Sequence, residues 1–303
     1  MKTNNQHIDN KTEVDDLLRA IGPVIRETMA QAIALIQKET ATFIATPKVG
    51  YDGLDNDLVT NVDRAAQEFY VNRFAQAFPG VGLLGEEDGL KKPCTIEGEN
   101  IYITIDPLDG TKAFARQQSH GVGTMVAVVR NGAVIAAYVG DINTGEIYGY
   151  APDAPAPTRQ RFGVLTALDP KPQLGLEKRY ILLNAIPEKF PENIRKFAGR
   201  PIDGGLFKDI EVMYGSYGAF CARLWKGEVA AIVLDPAFTT PWDETPILGI
   251  MEALGFIRIK VDMDGNCEVF EQEPPTTVYK IPFNIVVVHH TQLDVAMRNL
   301  KGV

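Results

Sequence analysis

The stretch IYITIDPLDGTKAF, residues 101–114, restricts the fold more than any other part of this 303-residue chain. Its first five residues, rich in β-branched side chains, read as a buried strand, and an Asp-Pro step follows directly. Pro107 fixes its own φ and biases Asp106 toward extended backbone, while Gly110 permits a conformation that a residue with a Cβ resists. The loop is therefore held stiff at a strand end, with Asp106 and Asp109 both on it. Two carboxylates on a rigid turn offer a hard divalent cation oxygen ligands at little ordering cost. An Asp-Pro turn followed by an Asx-Gly turn accounts for the same residues. Alone, the stretch leaves both readings open.

With 45% hydrophobic residues the chain has material for a sizeable core, in one large domain or two modest ones. Thirty-nine acids against thirty bases give a formal charge of −9, which disfavours a broad face for nucleic-acid polymers. The amino terminus, MKTNNQHIDNKTEVDD, has neither an apolar signal core nor a cationic amphipathic pattern, and no apolar run approaches the roughly 20 residues of a membrane span. The expectation is a soluble cytoplasmic protein. Cys94, Cys221 and Cys267 fit neither a disulfide framework nor zinc spacing and read as reduced and inert.

Helical spacing runs over residues 13–37, with Gly22-Pro23 marking a break or restart, and again over residues 60–78. In TMVAVVRNGAVIAAYVG, Asn131-Gly132 between two apolar runs predicts a tight hairpin, and so antiparallel sheet in the first half. The segment APDAPAPTRQ, residues 151–160, is rich in Pro and Ala without periodicity and is the candidate junction. Beyond it, strand-like YILLN, a helix over 216–226, strand-like EVAAIVL, a helix over about 246–254 and strand-like NIVVV alternate, as in an α/β half. The expected division is an α+β domain over 1–155 and an α/β domain over 156–303.

Three further acidic sites stand at the ends of regular elements. LLGEEDG, residues 83–89, carries Glu86 and Glu87, for which a solvated loop is the plain alternative. In LVTNVDRAAQ, Thr60 and Asp63 have the spacing of a helix capping pair. In PWDETP, Asp243 stands where a helix begins, with Pro246 in its first turn, and an N-cap would explain it. Together the four sites suggest carboxylates converging on one cleft. His7, His120, His289 and His290 show no ligand spacing, and an all-oxygen set favours Mg²⁺ over zinc or iron.

LVTNVD, GEED, DPLDGT, YGSYGA and WDETP, in that order over residues 57–255, resemble the magnesium-dependent, lithium-sensitive phosphatases of the inositol monophosphatase superfamily. Fructose-bisphosphatases, bisphosphate nucleotidases and histidinol-phosphate phosphatases belong to the same group. The resemblance implies a layered α/β/α/β/α sandwich. It implies metal ligation by Glu86, Asp106, Asp109 and Asp243 with the Leu108 carbonyl, two or three Mg²⁺ ions per site, and a further metal or loop-support role for Glu87. Asp63 and Thr111 correspond to the pair that orients and helps deprotonate the attacking water. Gly110 and Thr111 would offer backbone N–H groups to the phosphate, and Gly215 and Ser216 fall near the substrate. The family also suggests a homodimer.

Departures from the pattern bear on the substrate. Pro236, with Asp235 beside it, stands close to where inositol phosphatases often carry a sugar-contacting glutamate; Asp235 either substitutes for it or caps a turn. Glu244-Thr245-Pro246 is bulkier than the small residues common after the Trp-Asp pair. Lys112 either meets a second phosphate or is solvated. The expected activity is hydrolysis of a small phosphorylated metabolite, an inositol monophosphate or sugar phosphate. The alternatives are a 3′(2′),5′-bisphosphate nucleotidase, a histidinol-phosphate phosphatase, or a non-catalytic metal-binding regulatory relative.

Overall fold

The computed structural model describes residues 10–152 and 154–302; residues 1–9, including His7, lie outside the described residues. Helix α1 (Asn10–Glu39) leads into a hairpin of β1 (Ala45–Lys48) and β2 (Asp57–Thr60), then helix α2 (Asn61–Ala77). Strands β3 (Gly82–Gly85), β4 (Lys91–Lys92) and β5 (Ile101–Asp109) follow, then a short helix α3 (Thr111–Ala115). With β6 (Gly123–Arg130), β7 (Ala133–Asp141), β8 (Glu146–Tyr150), β9 (Thr158–Arg161) and β10 (Val164–Ala167), they form an eight-stranded sheet ordered β10-β9-β8-β7-β6-β5-β3-β4. Only the β3–β5 pairing is parallel.

The remaining chain runs β11 (Tyr180–Leu183), α4 (Glu192–Ala198), β12 (Asp209–Val212), α5 (Tyr217–Trp225), β13 (Val229–Leu234), β14 (Ala237–Thr239), α6 (Pro241–Ala253), β15 (Phe256–Val261), β16 (Cys267–Val269), β17 (Tyr279–Ile281), β18 (Asn284–His289) and α7 (Leu293–Lys301). A six-stranded mixed sheet has the order β12-β11-β13-β18-β15-β16, and β14 pairs with β17 apart from it.

Alternation along the strands builds the layers. On β6, Val126 and Val128 face a core with α1 and α2, while Met125 and Ala127 face a second core with α5 and α6. On β13, Ile232 and Leu234 join that same second core, while Ala231 and Val233 face a third core with α4 and α7. Both sheets are therefore apolar on both faces, which explains continuous runs such as VAAIVL where a half-exposed strand would alternate. The result is the expected α/β/α/β/α sandwich, with α5 and α6 as the layer shared by the two sheets.

Three expectations shift. Helix α1 continues through Pro23, and Ile21 and Ile25 on either side are fully buried. Packing of the apolar stripe outweighs the single hydrogen bond that proline removes. Helix α6 starts at Pro241, earlier than the spacing around Pro246 indicated. The Pro- and Ala-rich segment lies within the first sheet, because β9 and β10 pair onto β8 beyond it. The Asn131-Gly132 hairpin forms as expected, with both residues at positive φ (51° and 86°) between paired β6 and β7.

The shared layer should dominate stability. Ile232→Ala, at a fully buried position, is expected to cost about 2–5 kcal/mol in chemical denaturation. Ile202→Ala, at a position 86% exposed, should stay within about 0.5 kcal/mol of the parent.

Candidate active site

Strand β5 carries the opening motif through its own end: Asp106, Leu108 and Asp109 are buried strand residues. The Leu108 N–H donates to Asp106 Oδ1 at 3.0 Å, which fixes that carboxylate against its own backbone. Gly110 then takes φ 88° and starts α3. A Cβ at Gly110 would lie 2.4 Å from the Gly121 carbonyl oxygen and 2.8 Å from the Ser216 nitrogen, so main chain from three segments meets there.

Asp109 reaches across to the second half. Its carboxylate accepts from Ser216 Oγ at 2.5 Å, the Tyr217 N–H at 3.0 Å and the Gly218 N–H at 2.7 Å, at the start of α5. Ser216 is at the same time the N-cap of α5, accepting from the Ala219 N–H. It is buried behind the cleft and reaches the cleft only through Asp109.

Thr60 and Asp63 form the capping box read in the sequence, with the Thr60 N–H donating to Asp63 Oδ2 at 2.8 Å. Asp63 has a second task, since Thr111 Oγ1 lies 3.1 Å from its Oδ1 and 3.1 Å from the Leu108 carbonyl. The cap and the DPLDGT turn are thus locked together over 48 residues of sequence. At Asp243 the N-cap alternative does not hold. Thr240 caps α6, its hydroxyl accepting from the Asp243 N–H at 3.1 Å, and the Asp243 carboxylate is left to line the cleft.

Glu86, Asp106, Asp109 and Asp243 line one cleft of about 560 Å³, together with Leu108, Gly110, Thr111, Lys112 and Gly215. Glu87 is held at its edge by a two-way lock with Gln67, whose amide donates to the Glu87 carbonyl at 2.8 Å and accepts its N–H at 2.9 Å. Lys112 is half-exposed, with Nζ 3.6 Å from Asp57 Oδ1. Asp235 lies outside the carboxylate cleft, in an adjoining cavity of about 310 Å³, paired to Asn184 Nδ2 at 2.8 Å. The two cavities share Tyr214, Gly215, Phe238 and Asp243.

The charge is crowded. Burial lifts the Glu86 carboxyl from its ordinary 4.5 to about 8, with the Asp243 and Glu87 charges adding to burial and the Lys48 charge opposing it. Burial, aided by the Asp109 charge, lifts Asp243 from 3.8 to about 6. Asp106 is pushed well above its usual range by burial and by Glu86, Asp243 and Asp109. Asp109 rises by burial and is partly held down by its three hydrogen bonds. One ammonium answers this: Lys48 Nζ lies 2.8 Å from Glu86 Oε1 and 3.3 Å from Glu87 Oε1. Its burial would lower its pKa, but the acids around it more than offset that and push it up.

These side chains fit a hard divalent cation by the chemistry of the donor set, which is all oxygen and carries negative charge beyond what Lys48 balances. Among the described residues no three His, Cys, Asp or Glu side chains already stand as a coordination site. The Lys48 ammonium lies against Glu86 and Glu87 instead.

Sequence reading missed Lys48, Gln67 and the cleft-lining Tyr51, Tyr214, Phe238 and Thr240. Lys48 sits in ATPKVG with nothing to set it apart from other lysines; only the β1–β2 hairpin brings it to the acids. The Thr-Thr-Pro step before Trp242 did carry a cap signal, since a threonine directly before an N-terminal proline is a standard helix start.

The family model described as the inositol monophosphatase family matches residues 12–257. Over 143 residues the chain is 29% identical to inositol-1-monophosphatase of Bacillus subtilis, covering 46% of this chain and 48% of that protein. Over 142 residues it is 26% identical to 3′(2′),5′-bisphosphate nucleotidase 1 of Homo sapiens, covering 39% and 42%. The chain thus spans about half the length of the curated relatives it matches. A solved IMPase/NADP phosphatase, complexed with Mg²⁺ and phosphate, superposes with a TM-score of 0.66 at 20% identity, covering 94% of this chain and 97% of that one, a likeness of fold.

The raised carboxyls set a pH dependence of stability. In chelator, the folded site holds protons that the unfolded chain has released between the ordinary 4.5 of Glu86 and its folded value of about 8. Stability in chelator should therefore fall as pH rises through that window, read as a falling Tm from pH 5 to pH 8. Glu86→Gln should flatten the fall.

Proposed function

We propose that this chain, which belongs to the inositol monophosphatase family, is a Mg²⁺-dependent phosphomonoesterase acting on a small phosphorylated metabolite. The observation that carries the reading is the convergence of Glu86, Asp106, Asp109 and Asp243 on one cleft beside the hydrogen-bonded Asp63–Thr111 pair. The names of the relatives give the range of substrates to test, from inositol phosphates and NADP to 3′(2′),5′-bisphosphate nucleotides.

In this reading Glu86, Asp106, Asp109, Asp243 and the Leu108 carbonyl hold two or three Mg²⁺ ions, and Glu87 holds a further ion or supports its loop. When bound, the metal supplies charge neutralisation for the phosphoryl oxygens and for the departing ester oxygen, and lowers the pKa of water in the cleft. The chain's own residues do the rest. The Thr111 hydroxyl, anchored between Asp63 Oδ1 and the Leu108 carbonyl, orients a water and takes its proton while its own proton passes to Asp63. Burial raises the Asp63 pKa against the hydrogen bonds from Thr60 and Thr111, which suits a proton acceptor. The water oxygen bonds to phosphorus in line as the ester P–O bond breaks, and the departing alkoxide takes a proton from solvent water while Asp63 later returns its proton to solvent. Backbone N–H groups of Gly110 and Thr111 face the phosphate, with Lys112, Gly215 and Asp235 assigned to the substrate side; Ser216, expected there from the sequence, is buried behind Asp109 and acts through that carboxylate instead. The amino-terminal half supplies most of the ligands and the carboxy-terminal half Asp243. A cytoplasmic homodimer completes the proposal, with solution mass as its check.

Phosphate release should appear with Mg²⁺, vanish in chelator and fall with Li⁺. Thr111→Ala and Asp63→Asn should each lower kcat by about 10²–10⁴-fold. Wild-type rates in these variants, shown folded by circular dichroism, would overturn the assignment. Silence of the parent on inositol, sugar, nucleotide and histidinol phosphates would point to a non-catalytic relative.

A further inference from the structure

Helix α2 carries a polar stripe through an apolar core. Asp63, Gln67 and Tyr70 stand at i, i+4 and i+7, on one face of the helix, and all three are buried. Beside them Val62, Ala66 and Phe74 pack into the core that α1 and α2 share with the first sheet. A buried polar atom costs free energy unless it is paired. Each of the three finds its pairing on a segment that bears the acids of the cleft.

Asp63 holds Thr111 of the DPLDGT turn. One turn further along α2, the Gln67 amide takes both main-chain groups of Glu87, donating to the carbonyl at 2.8 Å and accepting the N–H at 2.9 Å. Only main chain is used, so the carboxylates of Glu86 and Glu87 stay available. The chain then passes through Asp88 at φ 55°, a conformation disfavoured for a residue with a Cβ, which calls for a hold from outside the turn.

Tyr70 acts at one remove. Its hydroxyl lies 3.0 Å from Thr124 Oγ1, and the Thr124 hydroxyl donates its one proton to the Asp106 carbonyl at 2.9 Å. Tyr70 is therefore the donor to Thr124, and the two bonds in series polarise each other. Tyr70 and Thr124 are both fully buried. Strands β5 and β6 pair at Asp106 with Met125 and next at Asp109 with Gly123, so Thr124 falls in the register shift. Pro107, in the same irregular stretch, has no N–H to give the ladder. The Thr124 hydroxyl supplies a side-chain bond where the ladder is interrupted.

We propose that Gln67 and Tyr70 are positioning residues of the metal site: through the Glu87 main chain and through Thr124 they set where Glu86 and Asp106 stand. The inference rests on the metal-dependent phosphatase reading and adds to it the element that aligns its parts. One helix face then fixes the proton acceptor Asp63 and two ligand-bearing segments relative to one another.

The test is calorimetric titration of the full chain with Mg²⁺ alone, after chelator treatment and without substrate. Gln67→Met, which keeps the bulk and loses both bonds, should raise the Mg²⁺ Kd by about 10–100-fold, the range for partners that orient a metal ligand. Tyr70→Phe should raise it by about three- to tenfold, the size of one lost hydrogen bond. Thr124→Val should match Tyr70→Phe, and Thr124→Ser, which keeps the hydroxyl, should stay near the parent. Phe74→Leu, one turn beyond the stripe in the same core, should lower Tm and leave Kd unchanged. An unmoved Kd in either Gln67→Met or Tyr70→Phe, shown folded by circular dichroism, overturns the proposal. An equal rise in Phe74→Leu does the same, and so does a parent that binds no Mg²⁺. Should Gln67→Met fail to fold, Tyr70→Phe, which removes a single oxygen, decides. Turnover separates the proposal from the reading beneath it. Weakened Mg²⁺ binding in both variants of a protein without turnover on any ester keeps the positioning role and defeats the phosphatase reading; turnover in the parent with unmoved Kd in the variants does the reverse.

Discussion

The three hydrogen bonds into the Asp109 carboxylate are the contact on which the site depends. Asp109 ends β5 of the first sheet, while the donors belong to Ser216 and the first turn of α5, which packs between the sheets. Hydrogen bonds to an ionised group are the strong ones, and here they lie at a helix start where negative charge is favoured. The same carboxylate lines the cleft. Joining the halves and shaping the acidic floor are therefore one interaction.

Around that contact the protein accumulates a charge that folding alone does not favour. Buried acids raise one another's pKa, and a lysine from the β1–β2 hairpin is the cation in direct contact with Glu86 and Glu87. Strain of this kind is characteristic of functional sites, where preorganised charge awaits a ligand of opposite sign. The neighbouring cavity mixes apolar side chains such as Phe220, Leu234 and Ile285 with Asn184, Asp235 and the Glu244–Arg258 pair.

Much of this was legible in the sequence where the signal is local. Proline and glycine on either side of Asp109 announced a stiff turn, Thr60 and Asp63 announced a cap, and Asn131-Gly132 announced a hairpin, because each depends on residues a few positions apart. The second role of Asp63 and the approach of Lys48 depend on contacts spanning 48 and 38 residues, and no local pattern encodes them. Pro23 misled for the converse reason: a strong local breaker was outweighed by packing of α1 that becomes visible only in three dimensions. Asp243 was placed correctly at a helix start, but Thr240 satisfies the cap.

The close meeting of Gly110, Gly121 and Ser216 sets main chain against main chain. No rotamer can give at such a seam, so the width of the cleft floor is a property of the backbone. The walls, by contrast, are built from side chains such as Tyr214 and Phe238 that project from separate segments. Substitutions there can change what the cavity accepts one residue at a time while the floor keeps its dimensions. A scaffold divided in this way can diversify its ligands without redesigning its chemistry.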